Sequence, residues 1–380
     1  MAHSTRPSTR SPGRRHTFVA LVLVAALAGC GVGSEESSDT TAPPGGEDAA
    51  PTETIDLDEV IEASRDEERL IVYGNPSPDQ WAPVIEAFEE AYPWITVETF
   101  DLGGTEAFQR YLSEESTGAT TADVIVNTDG PGWLDLIDRG QVVDFAAPSL
   151  EGLPEIAVAA PGVFAMSVDP LIGVFNSHAL PPDEQPTTLA GLADMAEDLD
   201  GRLGTVEVEN GQVGLGFWGY IDATGEDGWE VLERLGPHSS AESSNGVLVG
   251  KLTSGEYAAT YMTSGALRAL IDTTETGDVL DYRYLEDATV LPTRGIAVTA
   301  AAEAPNAARL LVDFVLSEEG QEPLCAGGFT PYRDGNDCPQ GLQAIQDEVG
   351  EDNTIVVGYP EELVSEGDAF RSRWNEAFGR

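Results

Sequence analysis

Between Arg69 and Phe100 the apolar positions change period twice. Leu70–Tyr73 is an unbroken β-prone run, as a strand buried on both faces requires. Trp81, Val84, Ile85, Phe88 and Ala91 then recur at three- and four-residue spacing, the signature of one buried helical face. Ile95–Phe100 returns to strand. Ser77 is placed to cap free backbone N–H groups, Pro78 fits the first helical position, and Gln80 completes a capping box. Pro93 closes the helix. The stretch predicts a βαβ unit whose loop Gly74–Pro76 faces a crevice at the strand ends.

The same rhythm continues on either side. Asp58–Glu67 forms a short amphipathic helix, and Glu106–Glu115 a helix after the turn Leu102–Thr105. The strand Asp123–Asn127 runs into a loop at Thr128–Gly132, followed by a helix at Trp133–Arg139 and a short strand at Val142–Phe145. This alternation argues a doubly wound parallel sheet. Gly162–Phe175 is a long extended segment suited to a crossover into a second region. There the pattern predicts helices at Leu189–Leu199, Trp229–Leu235, Val247–Leu252 and Ala266–Ile271, with strands at Leu203–Val208 and Ala258–Met262. Leu291–Thr299 would carry the chain back to the helix Asn306–Leu316. Trp218 and Tyr220 are placed just before a helix, with core packing expected of both.

A chain of 380 residues can bury two cores. Its 19 basic residues oppose 67 acidic ones, for a net charge of −48. Such a field repels nucleic acid and anionic lipid and favours solubility. Arg6, Arg10, Arg14 and Arg15 all precede Cys30, and no acid does. This basic segment leads into the apolar run Phe18–Ala28, too short to span a bilayer as a helix. Leu27-Ala28-Gly29-Cys30 resembles the bacterial lipobox, which implies a signal peptide over 1–29 and lipidation of Cys30. Residues 30–55, rich in Ser, Thr, Gly, Pro and acid, read as a flexible tether. An extracytoplasmic protein anchored to the outer face of the cell membrane is expected. Cys325 and Cys338 are expected to form a disulfide in that oxidising compartment. Zinc there would need two more ligands, and His178 and His238 are distant in sequence.

LIVYGNPSPDQWAPVIEAFEEAYPWITVE, ADVIVNTDGPGWLDLIDRG, VFNSHALPPDEQPTTLAGLAD and RGIAVTAAAEAPNAARLLVDFVLSEEGQ together resemble bacterial extracellular solute-binding proteins of ABC importers, of the ferric-ion-binding branch. The resemblance implies a two-lobed α/β fold with two doubly wound sheets joined by two crossover strands. Lobe 1 would comprise 56–165 and 293–345, and lobe 2 166–292 and 346–380. A small solute would bind between them, delivered to the transmembrane subunits of an ABC permease by a monomer that needs no cofactor.

In iron-binding members, adjacent tyrosines grip ferric iron just after the segment matching GEYAATYMTS; here Gly265 and Ala266 occupy those positions. The family's His falls near Ser77, and its carboxylate matches Thr128. Ferric iron wants phenolate, carboxylate and imidazole donors, so no metal site is expected. Tyr257 and Tyr261 read as packing residues. Asn245 and Thr263 match positions that hold the family's synergistic anion, and Asn210 falls close to a third. These neutral groups suit an organic anion such as a phosphonate, although Asn210 and Ser240 are equally placed as turn formers.

On the lobe 1 side, Tyr73, Asn75, Ser77 and Asp79 surround one loop and Asp129 sits in another. Asp79 favours the helix dipole and would repel an anion. A zwitterion, with its amine toward lobe 1 and its acid toward lobe 2, satisfies both halves. Arg294 and Arg333 are candidate anion clamps or interdomain ion pairs. The alternatives are a ferric-iron carrier, a solute sensor feeding a receptor, and a tethered hydrolase. For the last, the mature chain offers only His178 and His238 and no nucleophile elbow, Walker loop or zinc motif.

Overall fold

Capping and burial build the first βαβ unit much as its periodicity predicts. In the computed structural model, which describes residues 54–273 and 275–380, α1 (Leu57–Ala63) precedes β1 (Arg69–Gly74), α2 (Pro78–Ala91) and β2 (Thr96–Asp101). The expected signal peptide, tether and lipidated Cys30 lie outside the described residues, save the tether's last two positions. Ser77 caps α2, and the reciprocal Gln80 side-chain bond to the Ser77 N–H completes the box. Trp81, Val84 and Phe88 are its buried face.

The chain continues through α3 (Gly104–Glu115), β3 (Val124–Asn127), α4 (Gly130–Asp138), β4 (Val158–Ala160) and β5 (Val163–Val168). Gly130–Gly132, expected in a loop, is instead the first turn of α4, with Asp129 at its N-cap. Val142–Phe145 forms no strand and contributes only an isolated bridge, Val142 to Thr299. Beyond one backbone bond, Val143 N to Val298 O (2.9 Å), the chain turns away and Ala146 bridges Thr54 instead.

Asp169 and Pro170 separate β5 from β6 (Leu171–Asn176), and here the chain changes sheets. Then follow α5 (Leu189–Asp194), β7 (Leu203–Val206), α6 (Gly211–Thr224), α7 (Glu226–Leu235), β8 (Ser239–Glu242), α8 (Asn245–Thr253), β9 (Ala259–Ser264), α9 (Leu267–Thr273) and β10 (Leu280–Arg283). The return is β11 (Thr289–Val298), followed by α10 (Pro305–Leu316), α11 (Glu318–Ala326), α12 (Leu342–Val349), β12 (Thr354–Val357), α13 (Glu362–Ser365) and α14 (Gly367–Ala377).

The first sheet has the order β2-β1-β3-β11-β5-β4, with β12 paired to β11. It is mixed and not wholly parallel: β1 is parallel to β2 and β3, while β11 runs antiparallel to β3 and β5. A returning strand enters from the far lobe, so its direction is dictated by topology and not by the βα rhythm. The second sheet has the order β10-β6-β9-β7-β8. Asp123 stitches the first together: its carboxylate accepts from Ile71 N (2.8 Å), Glu303 N (2.7 Å) and Ala304 N (2.9 Å), joining β1, the edge of β3 and the start of α10.

One apolar cluster fills the space between the first sheet and α2 and α10. The other runs from the opposite face of that sheet into the second. The expected disulfide joins Cys325 and Cys338, with Cα atoms 5.8 Å apart. Among the described residues, no helix is long and apolar enough to cross a membrane.

Candidate functional site

In parallel α/β sheets the strand C-termini supply ligand-binding loops. Here β1 and β3 end at Gly74 and Asn127, where the first sheet meets the second, and β7 and β9 end at the same junction from the other side. Asn75, just past β1, donates to Thr128 Oγ1 just past β3 (3.2 Å) and accepts from Arg294 on β11. Arg294 Nε and Nη2 also hold Asp169 Oδ2 at 2.8 and 2.6 Å, and Ser167 Oγ donates to the other carboxylate oxygen at 3.0 Å. Arg294 is 8% exposed and Asp169 7%, so this ion pair bridges the two crossover segments out of water. Of the two roles open to Arg294, the interdomain ion pair is the one its contacts fill.

On the second-sheet side, Asn210 caps α6 by accepting from Val213 N (3.3 Å). Gly211 then packs so closely on the start of α4 that a β-carbon there would lie 3.0 Å from Asp129 Cβ. The Gln212 side-chain nitrogen is buried without a hydrogen-bond partner. Asp129, Thr105 and Pro131 face Val208, Gly211, Leu215 and Trp218 across a cavity of about 270 Å³ that α14 closes with Phe370 and Arg371. Burial pushes the Asp129 carboxyl above the usual carboxylate range, against the opposing Gly132 N–H and the more distant Arg371 charge.

β9 carries a bulge against β6, with Met262 at a positive φ of 49°. Such irregularities re-aim a strand end. Beyond it the Ser264 N–H donates to Asn245 Oδ1 (3.2 Å), bringing Asn245 to the junction. Thr263 is turned inward, fully buried and donating to Thr260 Oγ1 (3.0 Å). Gly265 meets the crossover: its N–H donates to Pro170 O at 2.8 Å, and a β-carbon would sit 2.7 Å from that same oxygen. A tyrosine therefore cannot stand at Gly265 without displacing the crossover.

Other expected residues lie elsewhere. Tyr73 is 2% exposed, donates to Glu114 Oε2 (2.8 Å) and lies under the Arg110 guanidinium, facing α3. Ser77 is committed to its cap, and Asp79 is exposed on the first turn of α2. Arg333 is no clamp: it donates to the Leu316 and Ser149 carbonyls. Trp218 and Tyr220 do not precede a helix but sit within α6. Tyr257 and Tyr261 are buried, bonded to Glu242 and Ser239. Arg268, singled out by no sequence signal, is buried at the opposite flank of the junction.

A search of curated proteins finds no match. Among solved structures, the substrate-binding protein of an ABC transporter from Agrobacterium tumefaciens is similar over 83% of this chain and 97% of its own, at 21% identity and a TM-score of 0.71. Iron-bound HitA from Pseudomonas aeruginosa matches over 80% and 99%, at 18% identity and 0.63. The periplasmic binding protein AfuA from Actinobacillus pleuropneumoniae, with fructose-6-phosphate bound, matches over 82% and 98%, at 18% identity and 0.61. These likenesses establish the two-lobed α/β fold. The model of the bacterial extracellular solute-binding protein family matches residues 84–341. With its two sheets meeting at a polar junction and most of its length matched, this chain belongs to the bacterial extracellular solute-binding proteins.

Proposed function

We propose that the protein is a lipid-anchored, extracytoplasmic receptor that captures a small polar solute, an organic anion or zwitterion, between its lobes and delivers it to an ABC permease. The observation that carries this reading is the junction itself. Asn75 and Thr128 converge from one sheet and Asn210 and Asn245 from the other, whereas Gly265 and Ala266 offer no donor for a metal. Neutral amides and hydroxyls at strand ends and a capped helix start suit a polar organic solute better than a hard cation. The Agrobacterium relative, described as part of an ABC transporter, supports a permease as partner. The lobe division at residues 165/166 and 292/293, the anchor at Cys30 and a monomeric state belong to the same proposal. Capture would proceed by hinge closure about the two crossovers.

A thermal-shift screen against phosphonates, amino acids, sugar phosphates, polyamines, thiamine and ferric salts tests the reading. A specific solute at roughly a hundredfold over its Kd adds about 2.7 kcal/mol. A response to ferric ion alone would replace the organic solute with iron, and turnover of a bound compound would replace the receptor with an enzyme.

A further inference from the structure

Arg268 lies on α9 and is 6% exposed. Its Nε donates to Gly265 O (2.9 Å), Nη1 to the Tyr284 hydroxyl and Nη2 to Thr330 Oγ1 (3.3 Å). All three partners are neutral, and Arg268 enters none of the ion pairs among the described residues. Arg294 differs: it is equally buried but has the Asp169 carboxylate. A guanidinium has five N–H donors, so Arg268 keeps two with no partner among the described residues, one on each terminal nitrogen. A buried cation without a counter-anion is costly, and paired terminal N–H groups match the two oxygens of a carboxylate or phosphonate.

The space for such a group is present. Arg268 lines a cavity of about 170 Å³ together with Ala266, Tyr282, Tyr284, Gly328 and Gln340. At about 30 Å³ per water this is the volume of roughly six waters, the size of a small amino acid. The walls come from both lobes. Ala266, Tyr282 and Tyr284 belong to the second-sheet side. Gly328 and Gln340 flank the segment whose Thr330 O accepts from Val168 N (3.1 Å) and whose Tyr332 hydroxyl donates to Ala165 O (2.6 Å) on β5. At the mouth stand Asp272 and Glu348, both exposed. They disfavour a bare anion and favour a ligand that also carries a positive charge.

We infer that Arg268 binds the acidic group of a small zwitterion, an amino acid or aminoalkyl phosphonate, whose ammonium faces Asp272 and Glu348. The inference rests on the receptor reading, names the solute class and puts its acidic group at the flank of the junction away from Asn75 and Asn210, where Arg268 selects it. A ligand so held spans α9 and the Gly328–Gln340 wall, tying the lobes together in the closed form.

The experiment uses the full-length protein and its Arg268→Gln, Arg268→Lys and Asp272→Asn/Glu348→Gln variants. Glycine, β-alanine, glycine betaine, 2-aminoethylphosphonate, inorganic phosphate and ethanolamine serve as probes in thermal shift and calorimetry. The expected result is that a zwitterionic probe binds the unaltered protein while ethanolamine does not. Arg268→Gln then weakens binding at least tenfold, with the unliganded melting temperature unchanged or raised, and Arg268→Lys retains part of the affinity. The double acid variant shifts preference toward phosphate. Zwitterion affinity within threefold of the original in Arg268→Gln overturns the inference. So does a sugar, polyamine or ferric ligand whose binding Arg268→Gln leaves unchanged, and in that case the receptor reading stands. If no compound in this panel or the broader screen binds, both readings fall.

Discussion

Asp169→Asn probes the ion pair that joins the two crossover segments. The substitution keeps the size of the side chain and its bond with Ser167 but removes the charge facing Arg294, whose two N–H groups reach Oδ2 at 2.8 and 2.6 Å. An exposed pair would lose at most about 1 kcal/mol. Here both side chains are about nine-tenths buried, so the remaining guanidinium is left without a counter-charge in a site it cannot leave. Breaking one side of a buried pair costs about 3–5 kcal/mol. The neutral Asn75 carbonyl stays within reach of Nη1 and offsets part of this, so about 3 kcal/mol is expected. Removing the partner as well, in Asp169→Asn/Arg294→Met, takes away the stranded charge and restores about 1–2 kcal/mol.

The assay is urea unfolding of the single and double variants, followed by tryptophan fluorescence and far-UV circular dichroism with coincident transitions required. The cycle isolates the coupling between the two side chains. A loss under 1 kcal/mol for Asp169→Asn, with coupling below about 0.5 kcal/mol, would refute the argument that burial makes this pair matter.

Reducing the Cys325–Cys338 disulfide, or replacing both residues with Ser, removes a cross-link across a 13-residue separation. It should lower stability by about 3 kcal/mol, read as a drop in the urea midpoint. Glu114 sets an acid limit. Burial alone would raise its pKa, but hydrogen bonds from Arg110 and Tyr73 outweigh that and hold it below the usual glutamate value. Its stabilisation is therefore complete above the unfolded-state pKa and is lost as pH falls through the depressed folded value. Glu114→Gln should flatten the decline in melting temperature on the acid side while lowering stability at pH 7. Gly295→Ala would place a methyl 2.7 Å from Trp133 Nε1 and 2.8 Å from Val163 Cγ1 in the middle of β11, and should destabilise by about 1–3 kcal/mol. Melting at the wild-type temperature would show that the ring can give way.

How much of this was legible depends on where each element gets its stability. α2 carries its own instructions, a capping box and one apolar face, and its bounds were readable to within a residue or two. α6 was not. GQVGLGFWGYIDAT has glycines at 211, 214, 216 and 219, which lower helix propensity, and apolar residues all round, which erases the amphipathic period. The fold explains both features. Gly216 and Gly219 let Leu171 and Val357 approach to where a β-carbon would stand, and the helix is buried between the crossover and β12. Tyr359 is similar. Nothing near it in sequence marks its hydroxyl as the acceptor for Gly295 N (2.8 Å).

The site divides along the same line. That Asn75, Asn210 and Asn245 stand at strand ends and helix starts was readable, because those features are local or aligned. That Thr263 turns inward, that Tyr73 is spent on Glu114, and that Arg268 is a buried cation without a carboxylate were not. Each depends on which groups from distant segments arrive beside it.

By itself the sequence determined the acidic charge, the βα rhythm and the capped helices, since these follow from short-range pattern and composition. Tertiary structure alone decided the mixed direction of the first sheet, the Arg294–Asp169 lock and the neutral hydrogen-bond partners of Arg268. The physical reason is that desolvation and charge pairing are set by packing across the whole chain, and no local window contains them.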